Sequence, residues 1–117
     1  MKRLIVFLLI ICAASSPLFA QSGSGSVKTE TFKVAGNCDM CKQRIEDAAY
    51  GKGVKTAEWN KSTGELTITY RTSKTDAATI LRRVASAGHD ADTFRAPEAA
   101  YGALPDCCSY KSNANQH

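Results

Sequence analysis

The chain has 117 residues and a formal net charge of +4, with 44% hydrophobic and 22% charged residues. This length is enough for one small domain with a modest core. The charge is too balanced to indicate a nucleic-acid or membrane-surface partner, and no Ser-His-Asp set, carboxylate pair in a defined context or phosphate-binding glycine loop supports hydrolytic or phosphoryl-transfer chemistry.

Residues 1–20 have the pattern of a secretory signal peptide. Lys2 and Arg3 precede an apolar run over residues 4–14 that is too short to span a bilayer, and cleavage is predicted after Ala20. Loss of the two cations would leave 13 basic and 11 acidic residues, a net charge of +2. We therefore expect an exported protein of the periplasm or cell envelope with no membrane span after signal removal. An N-terminal membrane anchor is the alternative.

A linker, a strand and a helix are expected next. Residues 21–26 (QSGSGS) have no apolar side chain and predict a flexible tether. Alternation over residues 27–34 predicts a half-buried strand whose core contacts come from Phe32 and Val34. Residues 41–50 predict a helix, and its core positions are Ile45, Ala48 and Ala49.

A hairpin and a second helix follow. Residues 54–60 (VKTAEWN) and 65–70 (ELTITY) alternate as strands do and are joined by a loop of about four residues. Residues 75–87 then predict a helix that is capped by Thr75 or Asp76.

A short fourth strand is predicted at residues 89–94 (HDADTF). The order βαββαβ then predicts a ferredoxin-like α+β sandwich, in which a four-stranded antiparallel sheet carries two helices on one face. We place this domain at residues 27–95. Residues 96–117 follow it as a C-terminal tail with a short helix and an adjacent Cys-Cys pair.

Cys38 and Cys41 form a C-x-x-C motif between the first predicted strand and the first predicted helix. Cys41 would lie in the first turn of the helix, where free backbone N–H groups and the helix dipole favour a thiolate. Two thiolates on one loop suit a soft ion such as Cu(I) or Hg(II). Because export permits disulfides, the motif alone is also compatible with a redox pair or a disulfide.

The order of elements together with the position of this motif resembles the heavy-metal-associated domain family, which includes copper chaperones, metal-binding domains of copper-transporting ATPases and periplasmic mercury-binding proteins. The resemblance covers about residues 28–94 and includes Gly53-Val54 at the second strand, LTITY in the third and AGHD after the second helix. It implies that Cys38 and Cys41 are the metal ligands. The family's loop usually reads Gly-Met-x-Cys, whereas Gly36-Asn37-Cys38 stands here without that methionine.

Additional ligands are candidates beside this pair. Met40 could pack near the site or offer a thioether. His89 occupies the position that faces the metal loop in the family, so a third ligand, a hydrogen-bond partner of a thiolate and a surface histidine are all open. Cys107 and Cys108 could supply further thiolates over the loop, or could form a disulfide with each other or with the loop.

Lys42 and Arg44 begin the first predicted helix beside the motif. They could offset the charge of a metal-thiolate centre and help to dock an acidic partner. The alternative is an ordinary solvated helix face.

The sequence therefore predicts a metal-binding protein that is not an enzyme and has no catalytic residues. We expect it to transfer or sequester a thiophilic ion, Cu(I) first, with Hg(II), Ag(I), Zn(II) and Cd(II) as alternatives. Its expected partner is a membrane metal transporter or another metal-binding domain, and its expected state is a monomer or a weak metal-bridged dimer.

Two other functions stay open. One is a thiol–disulfide oxidoreductase that uses Cys38 and Cys41, although Asn37 stands where such enzymes usually have an aromatic residue and no proline lies inside the motif. The other is a disulfide-stapled interaction module without metal chemistry.

Overall fold

The computed structural model describes residues 26–112. The predicted signal peptide, most of the predicted linker and residues 113–117 lie outside this range. No helix in the described part of the chain is long and apolar enough to cross a membrane. The elements run in the order β1 (Val27–Lys33), α1 (Asp39–Ala49), β2 (Val54–Asn60), β3 (Glu65–Arg71), α2 (Ala77–Ser86) and α3 (Glu98–Gly102), followed by two 3₁₀ turns (Asp106–Cys108 and Tyr110–Ser112).

The three strands form an antiparallel sheet in the order β1-β3-β2. One face is apolar, because alternate residues of β3 and the Trp59 indole of β2 are buried there. The other face is polar. Threonine hydroxyls pair across β1 and β3 on this face: Thr29 with Thr69 at 2.9 Å, and Thr31 with Thr67 at 3.0 Å.

Helices α1 and α2 supply the apolar side chains that join the core with the sheet's buried face. Ile45 of α1 and Ile80 of α2 are both fully buried, as the helical spacing of apolar residues predicts. Asp76 caps α2 by accepting a hydrogen bond of 2.7 Å from the Thr79 N–H, which confirms one of the two predicted caps.

The predicted fourth strand at residues 89–94 is wrong. Only isolated bridges form there, from Ala91 to Val34 and from Ala91 to Phe94. The chain reverses between Ala91 and Phe94 with a hydrogen bond of 2.8 Å in each direction, and Asp92 adopts a φ of +52° inside this turn. Because the backbone turns after one bridge, the described sheet has three strands instead of four.

Residues 96–112, which we call the docked tail, fold back onto the domain. Leu104, Cys108 and Tyr110 of this segment are buried in the same core as the helices and the sheet. Gly88 permits the contact, since its φ is +113° and a Cβ there would lie 2.9 Å from both the Ala100 carbonyl oxygen and a Leu104 methyl group. The core therefore contains residues from both sides of the boundary predicted at residue 95.

Candidate metal centre

The loop between β1 and α1 is held by the Trp59 indole. Trp59 Nε1 donates a hydrogen bond of 3.0 Å to the Val34 carbonyl at the start of the loop. Gly36 lies against the same ring, where a Cβ would come within 2.9 Å of an indole carbon and 3.1 Å of the Cys41 Cβ. The glycine thus allows the loop to pass between the indole and the cysteine.

Cys38 is the N-cap of α1. Its backbone is extended, with a φ of −145°, and its sulfur accepts a hydrogen bond of 3.4 Å from the Cys41 N–H. Helix α1 starts at Asp39, two residues before the predicted start. Both cysteines consequently lie at the positive end of the helix dipole, where negative charge is stabilised.

Three thiols converge at this helix end. The Cys38 sulfur is 3.2 Å from that of Cys41 and 3.5 Å from that of Cys108. All three sulfurs lie within 4.8 Å of one another, and they form a group that could hold a metal ion. The cysteines of the described chain are free, because these distances are well above the ~2.05 Å of a disulfide bond.

The three thiols differ in acidity. Burial opposes ionisation of Cys38, but hydrogen bonds from the Cys41 thiol and N–H and from the Cys108 thiol outweigh it and lower the pKa of Cys38. Burial raises the pKa of Cys41 and, more strongly, that of Cys108. Cys38 is therefore the thiol of the three that ionises most readily, and a soft ion must displace protons to bind all three.

Cys107 and Met40 lie at the rim of this cluster. The Cys107 side chain is exposed and its sulfur is 3.4 Å from the Met40 sulfur. Met40 itself is 50% exposed. The two adjacent cysteines of the tail therefore differ in burial: Cys108 joins the buried thiols, whereas Cys107 is exposed at their edge with its sulfur 3.9 Å from that of Cys108.

His89 contacts the loop backbone and lies outside the group of three thiols. It is fully buried, and its Nδ1–H donates a hydrogen bond of 2.8 Å to the Ala35 carbonyl. Its Nε2 has no hydrogen-bond partner among the described residues. Burial lowers the pKa of His89, so the neutral ring is favoured. This arrangement suits a residue that positions the loop.

Tyr110 is the site-supporting residue to which the sequence assigned no role. Its buried hydroxyl donates to the Gly88 carbonyl at 2.8 Å and accepts from the Asp90 N–H at 3.0 Å. Its ring stacks on His89 with the centroids 5.6 Å apart. The signal in the sequence that could have indicated this role was an aromatic residue two positions after Cys108, next to a polar terminus. Tyr110 fixes the tail next to the loop.

The two cations of α1 do not contact the thiols directly in any described hydrogen bond or ion pair. Lys42 pairs with the Glu46 carboxylate and donates to the Trp59 carbonyl at 3.0 Å. The Arg44 Nε is buried and has no hydrogen-bond partner in the described chain. Lys42 thus ties α1 to β2.

Comparisons with known proteins agree with this geometry. Residues 31–90 match the model of the heavy-metal-associated domain. The CopZ metallochaperone is 27% identical with a TM-score of 0.52, over 55% of this chain and 98% of that one. A copper form of a CopA variant from Bacillus subtilis is 25% identical with a TM-score of 0.50, over 59% of this chain and 93% of that one.

A third solved structure, the N-terminal domain of the zinc(II) ATPase ZiaA in its apo form, is 35% identical with a TM-score of 0.49, over 56% of this chain and 64% of that one. No curated protein gives a significant match. The CopZ similarity confirms the predicted ferredoxin-like fold class, and the docked tail lies beyond the matched residues 31–90. Because the matched segment covers more than half of the sequence, the chain belongs to the heavy-metal-associated domain family.

Proposed function

We propose that this protein binds Cu(I) through Cys38 and Cys41 and sequesters it or transfers it to a partner, without catalysing a reaction. The observation that carries the proposal is the convergence of thiols at the N-terminus of α1, in a chain of the heavy-metal-associated domain family. An all-sulfur donor set favours soft ions over hard ones. The similarity to a copper form of CopA supports copper as the first ion to test.

The geometry suggests how an ion would be exchanged. Cys38 is partly exposed whereas Cys41 is fully buried, so an incoming thiolate of a partner would reach the ion from the Cys38 side. A Cu(I) ion with two sulfur ligands has room for a third, so the partner's thiolate can bind before a cysteine of this chain leaves. A membrane metal transporter or another metal-binding domain could supply that thiolate.

We also propose that this exchange takes place in the periplasm or elsewhere in the cell envelope. The support is the signal-peptide pattern of residues 1–20. Expression of the natural gene product followed by fractionation and N-terminal sequencing tests the location. Recovery of the uncleaved chain in the cytoplasm would contradict it.

A competition titration tests metal binding. The reduced protein is titrated with Cu(I) under anaerobic conditions against a chromogenic chelator, and a Cys38→Ser/Cys41→Ser variant is compared with a Cys107→Ser control. We expect the wild type and the control to withdraw Cu(I) from the chelator and the double variant to lose that ability. A double variant that binds as tightly as the wild type would disprove the proposal. Parallel titrations with Hg(II), Ag(I), Zn(II) and Cd(II) give the preference among ions.

One observation favours a second function, thiol–disulfide exchange. Cys38 is partly exposed with a lowered pKa, while burial raises the pKa of its partner Cys41. This asymmetry is what a redox pair needs, because the exposed thiolate attacks and the second thiol resolves the mixed disulfide. Reduction of insulin by the metal-free protein is the test, and an inactive wild-type protein would exclude this function.

A further inference from the structure

The distances within the thiol cluster fit three ligands better than two. A metal–sulfur bond is ~2.3 Å, so two thiolates on opposite sides of an ion lie ~4.6 Å apart, and three thiolates around an ion lie ~4.0 Å apart. The Cys38 and Cys41 sulfurs are 3.2 Å apart. They must separate by ~1.4 Å to form a linear site but by only ~0.8 Å to form a trigonal one.

We propose that Cys108, carried by the docked tail, is the third sulfur ligand of the ion that Cys38 and Cys41 bind. This inference rests on the proposed metal binding and deepens it. The Cys108 sulfur is 3.5 Å from that of Cys38, and all three sulfurs lie within 4.8 Å. An ion at the centre of this triangle reaches every sulfur after shifts of less than ~1 Å.

The position of Cys108 is built by the fold. Its N–H donates to the Pro105 carbonyl at 2.8 Å, which closes the 3₁₀ turn that carries it. The buried Tyr110 hydroxyl, with its two backbone hydrogen bonds, anchors the chain two residues later. A cysteine that serves only as a small apolar residue would pack against carbon, whereas Cys108 directs its sulfur to the sulfur of Cys38.

Cys107 provides a matched control within the same turn. It is the same residue type, one position earlier, and its sulfur lies at the exposed rim, 3.4 Å from the Met40 sulfur and 3.9 Å from the Cys108 sulfur, outside the three-thiol group. A serine at either position makes the same chemical change. A difference between the two variants therefore reports on location, not on the general loss of a thiol.

The third ligand changes how the ion is released. Cys108 occupies from within the chain the coordination position that a partner's thiolate would enter. The docked tail therefore competes with the partner, and the protein retains its ion until the partner displaces Cys108. We expect a Cys108→Ser variant to transfer Cu(I) to an acceptor thiol faster than the wild type and faster than Cys107→Ser.

X-ray absorption of the 1:1 Cu(I) complex counts the sulfur ligands. We expect three sulfurs in the wild type and in Cys107→Ser, and two in Cys108→Ser and Cys108→Ala. In the chelator competition, the Cys108 variants should bind Cu(I) at least about tenfold more weakly, which corresponds to about 1.4 kcal/mol, while Cys107→Ser matches the wild type. Circular dichroism of each metal-free variant checks its fold.

Two sulfurs in the wild-type complex would overturn the inference, and this measurement does not depend on the folding of any variant. Equal Cu(I) affinity in Cys108→Ala and Cys107→Ser would also overturn it. In either case the proposed function survives if the Cys38→Ser/Cys41→Ser variant still loses binding. Failure of the proposed function appears instead as unchanged binding in that double variant.

Discussion

Replacing Tyr110 with phenylalanine should release the docked tail and make Cys108 reactive. The substitution removes only the hydroxyl, which lies in the core and hydrogen bonds to the Gly88 carbonyl and the Asp90 N–H. The aromatic ring that stacks on His89 is kept. Any change therefore reports on the two hydrogen bonds.

The size of the effect follows from the loss of these partners. A buried backbone group without a hydrogen bond costs about 1–3 kcal/mol. Some of this cost is recovered when the tail opens and water reaches both groups, so we expect the docked state to lose about 2 kcal/mol. This change raises the population of the undocked tail about 30-fold.

Alkylation of Cys108 in the reduced, metal-free protein measures this population, because a buried thiol reacts only through opening of the structure. We expect the Cys108 rate, resolved by mass spectrometry, to rise about 30-fold in Tyr110→Phe. The exposed Cys107 is the internal reference and should react at an unchanged rate. Tyr101→Phe is the matched variant, since the hydrogen bond of 3.1 Å that its hydroxyl accepts from the Lys111 N–H is exposed.

The reasoning fails if Cys108 reacts equally fast in Tyr110→Phe and Tyr101→Phe. The buried hydroxyl would then not hold the tail in place.

Two further predictions concern the loop. Burial lowers the pKa of His89 in the folded protein. The folded state is therefore fully stable, as far as His89 is concerned, above the unfolded-state pKa of about 6.5, and it loses stability as the pH falls from there toward the folded-state pKa, because the unfolded chain takes up the proton first. The urea midpoint of unfolding should decrease when the pH is lowered from about 7.5 to about 5.5. The decrease should be smaller in His89→Asn, whose amide can still donate a hydrogen bond to the Ala35 carbonyl. An equal decrease in both proteins would contradict this prediction. Gly36→Ala forces a Cβ to 2.9 Å from the Trp59 ring and should lower the free energy of unfolding by about 1–3 kcal/mol, whereas Gly102→Ala, with open space around its Cβ, should show no loss in the same denaturant titration.

The parts of the fold that local patterns determine could be predicted from the sequence. The bounds of β2 match the prediction, β3 is one residue longer, and Asp76 is the cap of α2. Each of these follows from strand alternation or from a side chain that bonds to a backbone group three residues away. The placement of Cys38 and Cys41 at the start of α1 follows from the same local signals.

The prediction of a fourth strand was wrong because the local signal for a turn in this segment is weak. Residues 89–94 contain no clear alternation, and the positive φ of Asp92 turns the chain after Ala91. An aspartate tolerates this conformation better than most residues, and its presence between Ala91 and Thr93 was the available signal for a turn.

The third thiol could not be located from the sequence. Cys107 and Cys108 are the same residue type in adjacent positions. They differ in the direction of their side chains, which the 3₁₀ turn at Asp106–Cys108 determines. The contact between Cys38 and Cys108 joins residues 70 positions apart. Such a contact depends on tertiary packing around Tyr110 and His89, and no local periodicity encodes it.

The separation of 70 residues between Cys38 and Cys108 has a topological consequence. An ion held by all three thiols is a cross-link that closes a loop around almost the whole domain. Closing a loop of this length lowers the entropy of the unfolded chain, so such a link adds about 4 kcal/mol to the free energy of unfolding. Unfolding of the loaded protein must either break this link or keep the chain constrained. Resistance to proteolysis would then rise with metal supply, and the metal-loaded protein would be degraded more slowly than the metal-free protein.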